Sequence, residues 1–342
     1  MTHYKSGKNE SVGLDIGSYS VKVTSIEKQK NEKNKLTTYN VKKIPFDSKD
    51  FNLESCIHQT LSEVGLCPET LNLAVSGPDV IVRFINLPKM TRDQLGNALV
   101  FEAEKHIPFN INEVVLDSLI LGDAGEEGQM RVLLAAAKRE TITPIISTIK
   151  KLGIVVNVMD TNPLAMFNAF TTTQPKVERE GYVLFDFGYA QTDMLISAGD
   201  LPCFMREIPI GSKNITEAIC QELNVSKVKA EEYKRGLIER AGEESEKVKQ
   251  ITRSILDELV EEIQLSFGYF ENRHDMKISH NYCAGGMIYQ DGVVEYISEK
   301  IGTQMEKWDP TRGIELAENI SREDIDSVSS ELAVSIGLAL RG

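Results

Sequence analysis

The chain has 342 residues, 41% of them hydrophobic, and a net charge of −13. Its length exceeds what one hydrophobic core usually serves, so we expect two domains, and its acidic balance argues against nucleic acid as a partner because phosphates require a basic surface. Its five cysteines lie far apart and no apolar run approaches the roughly 18–20 residues that cross a bilayer, which predicts a cytosolic protein without a disulfide framework, zinc site, signal peptide or membrane span.

Alternating apolar residues at the start of the chain are typical of strands. Residues 28–35 form a basic cluster that we interpret as the solvated turn of a hairpin. The elements predicted here are a strand hairpin over 11–27 and 36–44, a helix over 53–64, and strands over 71–75 and 80–87.

Thr91 is predicted to cap a helix that runs to Lys105, because its hydroxyl can accept a hydrogen bond from a free N–H group of the first turn. The expected apolar side of this helix consists of Leu95, Ala98, Leu99 and Phe101. The next predicted elements are strands over 114–121 and 130–137, a helix over 141–152, a strand over 154–159, a helix over 163–170 and a polar linker over 171–180.

The second half of the sequence repeats the change from strands to helices. Its predicted elements are strands over 182–187 and 193–197, a charged helical region over 214–270, a strand over 281–284, and helices over 293–301 and 332–340. The order predicts an α/β protein of two related halves.

Two stretches share one pattern: VGLDIGSYSVKVTSI from Val12 and VLFDFGYAQTDMLIS from Val183. Each has a buried strand, an aspartate, an apolar residue, a glycine, a polar turn and a return strand. Asp15 aligns with Asp186, and the two glycines also align. An isolated D-x-G after a strand more often marks an ordinary turn, but two in the same frame favour a shared function at the mouth of a cleft.

Such turns are suited to phosphate binding. Gly17 and Gly188 permit a tight backbone whose N–H groups can point at phosphate oxygens. Asp15 and Asp186 can hold Mg²⁺, usually through water. Lys22 can reach a terminal phosphate as a point charge. Further donors are Ser18 and Ser20 in the first turn and Gln191 and Thr192 in the second.

Two other motifs are weaker on their own. Gly285 and Gly286, within Ala284–Met287, allow a flat base to lie against the backbone, although paired glycines also mark plain turns. Glu231 and Lys234 share a helix face at i and i+3 and could clamp a ribose, although a solvated surface pair is the simpler interpretation.

The order of these motifs resembles the actin/Hsp70/sugar-kinase superfamily over nearly the whole chain. The resemblance implies a two-lobed, actin-like (ribonuclease H-like) ATPase fold of the α/β class, with ATP and Mg²⁺ as ligands. It also implies connecting helices near 163–170 and 332–340. The implied cofactor-binding residues are Asp15, Gly17, Ser18, Tyr19, Ser20, Lys22, Asp186, Gly188, Gln191, Thr192, Glu231, Lys234, Gly285, Gly286 and Met287, of which Asp15 and Asp186 are the metal residues.

Residues 85–117 are similar to the segment that marks the PilM family of type IV pilus proteins. The matching features are Leu87-Pro88, the E-A-E-K at 102–105 and Ile107-Pro108-Phe109, and the terminal LAVSIGLALR at 332–341 also resembles PilM. The related cell-division protein FtsA has the same insert, but we expect its membrane anchor to be absent here because this sequence stops at Gly342.

The resemblance implies an inserted FtsA-type small subdomain and a definite domain arrangement. The expected units are a flexible N-terminus (1–10), a first lobe (11–85 with 156–180), the insert (86–155), a second lobe (181–213 with 276–342) and a helical subdomain (214–275).

The family resemblance also implies a scaffold role. The expected partner is the short cytosolic N-terminal tail of PilN, an inner-membrane pilus protein, held in a groove near 83–88 and the helix 91–105. Cytosolic pilus assembly ATPases are further expected partners. The protein would be cytoplasmic and peripheral to the inner membrane through these partners, without inserting into the membrane itself.

The resemblance implies that Asn162, just before Pro163, stands where active relatives often carry a carboxylate. Asparagine can orient water but cannot accept its proton, so we expect nucleotide binding with slow or no turnover. Three alternatives remain open: an FtsA-like or type II secretion L-like cytoskeletal protein, a small-molecule kinase of the same superfamily, and an interaction protein in which Tyr189 and Met287 crowd out the nucleotide.

Overall fold

The computed structural model describes residues 10–29, 33–45, 51–125, 127–174, 181–236, 243–274 and 276–341. Of the segment 1–10 that was expected to be flexible, only Glu10 falls within this part, as the first residue of a strand. The middle of the expected basic turn (30–32) and the end of the expected linker (175–180) lie outside the described residues.

Strands and helices alternate through the first half of the chain. In order they are β1 (Glu10–Ile16), β2 (Ser20–Lys28), β3 (Asn34–Lys43), α1 (Leu53–Ser62), β4 (Thr70–Val75), β5 (Val80–Pro88), α2 (Arg92–Ala103), β6 (Val114–Asp123), β7 (Gln129–Lys138), α3 (Arg139–Lys151), β8 (Val155–Thr161) and α4 (Asn162–Thr173). The predicted elements of this half are confirmed, except that α4 runs into the expected linker.

The second half is richer in helix. Its elements are β9 (Gly181–Phe187), β10 (Thr192–Ala198), β11 (Leu201–Ile208), α5 (Ser212–Leu223), α6 (Lys227–Lys234), α7 (Glu243–His274), β12 (Ile278–Ala284), α8 (Val293–Ile301), β13 (Met305–Lys307), β14 (Glu315–Leu316), α9 (Arg322–Asp326) and α10 (Ala333–Leu340). Strands β11, β13 and β14 were not predicted. No helix in the described part of the chain combines the length and the apolar character needed to cross a bilayer.

The first lobe is built on a sheet with the strand order β14-β3-β2-β1-β4-β8. β1 pairs antiparallel with β2 and parallel with β4, which in turn is parallel to β8. The fully buried side chains of Leu14 and Val23 pack against Ile57 of α1 and Ile149 of α3. This core fixes the position of the turn that joins β1 to β2.

The second lobe repeats the same arrangement with the order β11-β10-β9-β12-β13. β9 pairs antiparallel with β10 and parallel with β12, as β1 does with β2 and β4. Its core includes Phe185 and Phe187 from β9 with Ile263 and Phe270 from α7, all fully buried. The expectation of two related halves is therefore confirmed.

A third, small sheet has the order β5-β7-β6 and is antiparallel throughout. Thr91 caps α2 and forms a capping box with Gln94, as predicted for the N-terminus of this helix. Leu95 is buried against the sheet, but Phe101 is 70% exposed, so the expected apolar side of α2 is wrong at Phe101.

The sheets also bear on the expected domain boundaries. The boundary at residue 86 falls within β5, all of which pairs with β7, and α3 packs on the first-lobe core rather than on the small unit. At the other end of the chain, β14 pairs with β3 in the first-lobe sheet.

α4 and α10 pack against each other between the two lobes, as expected for the connecting helices. Close approach depends on glycine, because a Cβ at Gly13 would lie 2.0 Å from the Ser335 carbonyl oxygen and one at Gly337 would lie 1.8 Å from that of Ala165. A shared core of side chains from both lobes surrounds these helices and contains the single tryptophan, Trp308, which is 3% exposed.

Candidate functional site

A cleft of about 680 Å³ opens where the β1–β2 turn of the first lobe faces the β9–β10 turn of the second. Its walls bring together nearly all the site residues predicted from the sequence. These are Asp15, Gly17, Ser18, Tyr19, Ser20, Lys22, Asn162, Asp186, Gly188, Gln191, Glu231, Lys234, Gly285, Gly286 and Met287.

The first turn is closed by a hydrogen bond from the Gly17 N–H to the Ser20 carbonyl, at 3.1 Å. Asp15 and Lys22 lie directly opposite each other on β1 and β2, and their side chains form an ion pair of 2.9 Å. Burial acts to lower the pKa of Lys22, but the carboxylates of Asp15 and Asp186 outweigh it, and the pKa is raised. Lys22 is therefore charged, and its ammonium group is already paired with Asp15.

The second turn has the same geometry, with the Gly188 N–H donating to the Gln191 carbonyl at 3.0 Å. Here the residues directly opposite each other are two acids, Asp186 and Asp193. Burial, reinforced by the neighbouring carboxylates, raises the pKa of each to about 7. Asp193 accepts hydrogen bonds from Gln191 Nε2 at 2.7 Å and from Asn162 Nδ2 at 3.1 Å.

Thr192 is a correction to the predicted site. Its side chain is fully buried on the other face of β10, and its hydroxyl donates to the Ile210 carbonyl at 2.8 Å. Successive side chains of a strand point to opposite faces, so the residue that lines the cleft is Asp193. The repeated hairpin carried the signal for Asp193, because it stands at the position equivalent to Lys22.

Gly285 brings the third wall close to the second turn. Its φ of 96° lies in the left-handed region, and a Cβ there would lie 2.3 Å from Asp186 Oδ1 and 2.5 Å from the Phe187 carbonyl oxygen. Gly286 and Met287 begin the short 3₁₀ turn that follows, and Met287 is buried. The paired glycines are thus part of the cleft wall.

Glu231 and Lys234 form a buried ion pair of 2.5 Å, with both side chains under a tenth exposed. The interpretation as a solvated surface pair is therefore wrong. Lys234 Nζ also donates to the Thr216 hydroxyl at 2.8 Å and to the Ser212 carbonyl at 3.1 Å. Burial lowers the pKa of Lys234, although Glu231 opposes the shift.

Two tyrosines meet across the cleft. The rings of Tyr19 in the first turn and Tyr189 in the second lie 5.1 Å apart, and Arg235 donates to the Tyr19 hydroxyl at 2.5 Å. Burial raises the pKa of both tyrosines. These contacts link the two lobes at the site and do not fill the cavity. Sequence analysis did not identify Arg235, which has no recognisable motif.

Three buried polar atoms on the cleft walls have no hydrogen-bond partner within the described residues: Ser20 Oγ, Gln290 Oε1 and Glu231 Oε2, the last of which has only an ion contact of 3.5 Å with Arg235 Nε. Buried polar atoms in native structures are nearly always paired. A ligand with hydroxyl and amino groups would supply the missing partners.

The expected peptide groove is divided by the structure between two separate cavities. The first, which we call the apolar groove, has a volume of about 930 Å³ and is lined by α2, β6, β7, β8 and α4, with Val115, Leu119, Leu133, Phe167 and Leu201 among its side chains. The second has a volume of about 750 Å³ and contains residues 82–86 together with part of the second lobe.

Comparison with known proteins matches this architecture to one family. The family model described as "Type IV pilus assembly protein PilM" matches residues 13–342. A solved structure of a PilM–PilN type IV pilus biogenesis complex contains a chain that is 26% identical, with 97% of this chain and 98% of that chain covered and a TM-score of 0.86.

More distant structures share the fold alone. The ethanolamine utilization protein EutJ from Carboxydothermus hydrogenoformans has a TM-score of 0.56 at 10% identity, over 98% of this chain and 91% of that one. A diol dehydratase-reactivating factor in nucleotide-free form has a TM-score of 0.57 at 10% identity, over 97% and 99%. The predicted two-lobed, actin-like α/β fold is confirmed, and the chain belongs to the PilM family of type IV pilus assembly proteins.

Proposed function

We propose that this chain is a cytoplasmic, actin-like scaffold of type IV pilus assembly, which binds ATP with Mg²⁺ in the cleft and the N-terminal tail of PilN in the apolar groove. It would be held at the inner membrane through that tail, with pilus assembly ATPases as further partners. The match of residues 13–342 to a PilM family model does not favour an FtsA-like or type II secretion L-like protein, or a small-molecule kinase.

The nucleotide proposal depends chiefly on one observation: three buried polar atoms that lack a hydrogen-bond partner among the described residues, one of them an ion-paired carboxylate oxygen, line a cleft between two equivalent glycine turns. The N–H groups of the two turns would receive the phosphates. Glu231 Oε2 is available to a ribose hydroxyl, and the wall at Gly285 and Gly286 leaves a flat surface for the base. Gln290 Oε1 can accept from an exocyclic amine.

The residues present also suit a magnesium ion. The negative charge of Asp15 is balanced by Lys22, whereas Asp186 and Asp193 face each other and form no ion pair with a cationic side chain among the described residues. Mg²⁺ prefers carboxylate, phosphate and water oxygens, and Asp186 would hold it together with Asp15. When bound, the ion would neutralise charge on the phosphates. Lys22 stays with Asp15 and directs its positive charge into the same space.

Equilibrium binding of a fluorescent ATP analogue, with and without Mg²⁺, tests the cleft. We expect Mg²⁺-dependent binding to the wild type and its loss in Asp15→Ala and in Asp186→Ala. Asp123→Ala is the matched control, because this exposed carboxylate pairs with Lys89 away from the cleft. Failure of the wild type to bind, or equal binding by all three variants, would contradict the proposal.

The PilN proposal is supported by the solved PilM–PilN complex and by the character of the apolar groove. Val115, Leu119 and Leu201 are each more than 40% exposed there, which is unusual for large apolar side chains gathered at one site. The groove also lies beside β6, an edge strand of the small sheet. Extended peptides commonly bind at such edges, with side chains held in adjacent pockets.

Fluorescence anisotropy with a synthetic PilN tail tests the groove. Leu119→Glu places a charge among its apolar walls, and we expect a loss of affinity of at least about tenfold. Phe101→Glu is the control, because Phe101 is an exposed apolar residue of the same small unit that does not line the groove. Equal effects of the two substitutions would contradict this location, while nucleotide binding by Leu119→Glu would show that the variant is folded.

A further inference from the structure

The second cavity on the small sheet is basic in an otherwise acidic protein. It lies between β5 of the small sheet and the β11 and α7 segments of the second lobe. We call it the arginine cavity and define it by its lining residues: Val82, Arg83, Phe84, Ile85, Asn86, His106, Ala124, Arg131, Cys203, Phe204, Met205, Tyr269, Arg273 and His274. Three of these are arginines and none is acidic, although the whole chain carries a net charge of −13.

The arginines have no carboxylate partner among the described residues. Arg131 donates from Nη2 to the Cys203 carbonyl at 3.1 Å, and its Nε is buried without a hydrogen-bond partner. Arg273 donates to the Tyr269 hydroxyl at 2.8 Å, and Arg83 to its neighbouring Val82 carbonyl at 3.0 Å. Arg131 is half-buried with an unused Nε donor, while Arg83 and Arg273 are exposed and free of any carboxylate among the described residues, so all three guanidinium groups can contact an anion.

Aromatic rings lie beside these charges. The Arg131 guanidinium lies 5.6 Å from the centre of the Phe84 ring, and that of Arg273 lies 5.9 Å from the Tyr269 ring. Phe204 and Tyr269 contact each other with ring centres 5.6 Å apart. A ligand in which acidic and apolar groups alternate could therefore contact the arginines with the former and the aromatic rings with the latter.

Two strand edges face this cavity. β5 is the outer strand of the small sheet and β11 the outer strand of the second-lobe sheet. The two strands lie side by side, but no backbone hydrogen bond joins them in the described part of the chain. Residues 82–86 and 203–205 thus bring two strand edges to the cavity, where the Val82 and Cys203 carbonyls already accept from Arg83 and Arg131. An extended peptide could use the edge of a strand, whereas a mononucleotide or free phosphate would not.

We propose that the arginine cavity binds an extended, acidic peptide segment of a second partner protein, distinct from the PilN tail. The backbone of the segment pairs with the edge of β5 or β11. Its carboxylates contact Arg83, Arg131 and Arg273, and its apolar side chains pack on Phe84, Phe204 and Tyr269. Burial and the two neighbouring arginines lower the pKa of His274, in keeping with the positive field of the cavity.

Selection from a display library of short random peptides on the full-length protein tests the proposal without assuming a sequence. We expect enrichment of peptides in which Asp or Glu alternates with apolar residues. The selected peptides are then synthesised for affinity measurements. The double variant Arg83→Gln/Arg273→Gln, at exposed positions, should bind them at least about tenfold more weakly than the wild type does. High salt should weaken wild-type binding in the same direction.

Lys300→Gln/Lys307→Gln is the matched control, because it removes the same charge from the second lobe outside the cavity. The affinity of this control variant for the selected peptides should stay within about twofold of the wild-type affinity. The proposal is overturned if no selected peptide depends on Arg83 and Arg273, if the dependent peptides are not acidic, or if the PilN tail displaces them competitively.

Discussion

At the scale of single residues, Gly285 is the position where the cleft tolerates least change. Alanine there must adopt a left-handed backbone and would crowd Asp186. We expect Gly285→Ala to lower the free energy of unfolding by about 3 kcal/mol and to weaken nucleotide binding. Gly286→Ala is the control for the loss of stability, because its Cβ would lie no closer than 3.6 Å to the Glu331 side chain. Urea unfolding of the two variants measures the difference in stability, and equal free energies of unfolding would contradict it. Nucleotide titration of Gly285→Ala against the wild type measures the loss of binding.

Asn162 and Asp193 form the hydrogen-bonded pair nearest to a catalytic arrangement in the cleft. Asn162→Asp alone would place two buried carboxylates together, which is unfavourable. The exchange Asn162→Asp/Asp193→Asn keeps one acid and one amide and moves the proton acceptor to the start of α4. If Asn162 limits turnover, ATP hydrolysis should rise by at least about tenfold in the exchanged protein, within the range of general base catalysis. Release of phosphate at the wild-type rate would remove support for this role.

Comparison of the predicted site residues with those that line the cleft shows which of them the sequence could indicate. Asp15, Asp186, Gly17 and Gly188 were predicted because the hairpin is repeated, and a repeat can be recognised from the sequence alone. Thr192 was assigned to the cleft and Asp193 was overlooked because both are polar and adjacent. Only the alternation of β10 decides which of them faces the cleft, and its register against Asp186 fixes that alternation.

At the scale of elements, the contact between α4 and α10 holds the lobes together. Gly337→Ala would drive a methyl group into the Ala165 carbonyl, so we expect a loss of about 3 kcal/mol in the free energy of unfolding. Gly268→Ala in α7 is the matched control, since nothing lies within 4 Å of its Cβ position. It should raise helix stability by about 0.5–1 kcal/mol. Denaturant unfolding measures the free energy of unfolding of both variants. An unchanged free energy in Gly337→Ala would mean that the helices can separate freely.

Element prediction succeeded where periodicity is local and failed where pairing is distant. The hairpins and most helices follow from alternation, caps and glycines close in sequence. β13 and β14 are very short and become strands only because β12 and β3 lie beside them. β11 carries Pro202 near its start, a residue that is rare within strands but that the outer position of β11 in its sheet allows.

At the scale of the whole molecule, two features could not be predicted from the sequence. The net charge of −13 is a property of the whole chain, and it gave no indication of a cavity with three arginines, one each on β5, β7 and α7. The shared core between the lobes likewise mixes side chains from distant parts of the chain, such as Ile26, Leu184 and Leu332. Both features arise from how the sheets are arranged, which no local pattern records.

The shared core leads to a prediction about how the molecule unfolds. Trp308 lies within it and packs edge-on against Phe170 of α4, so its fluorescence reports contact between the lobes. Because the lobes share this core, we expect Trp308 fluorescence and far-ultraviolet circular dichroism to follow one coincident transition. A nucleotide that contacts both lobes should then shift the whole transition, by about 2.7 kcal/mol at a concentration one hundred times its dissociation constant. Asp186→Ala should abolish that shift. Separate transitions, or a shift seen by one probe alone, would mean that the lobes fold independently and that the cleft does not couple them.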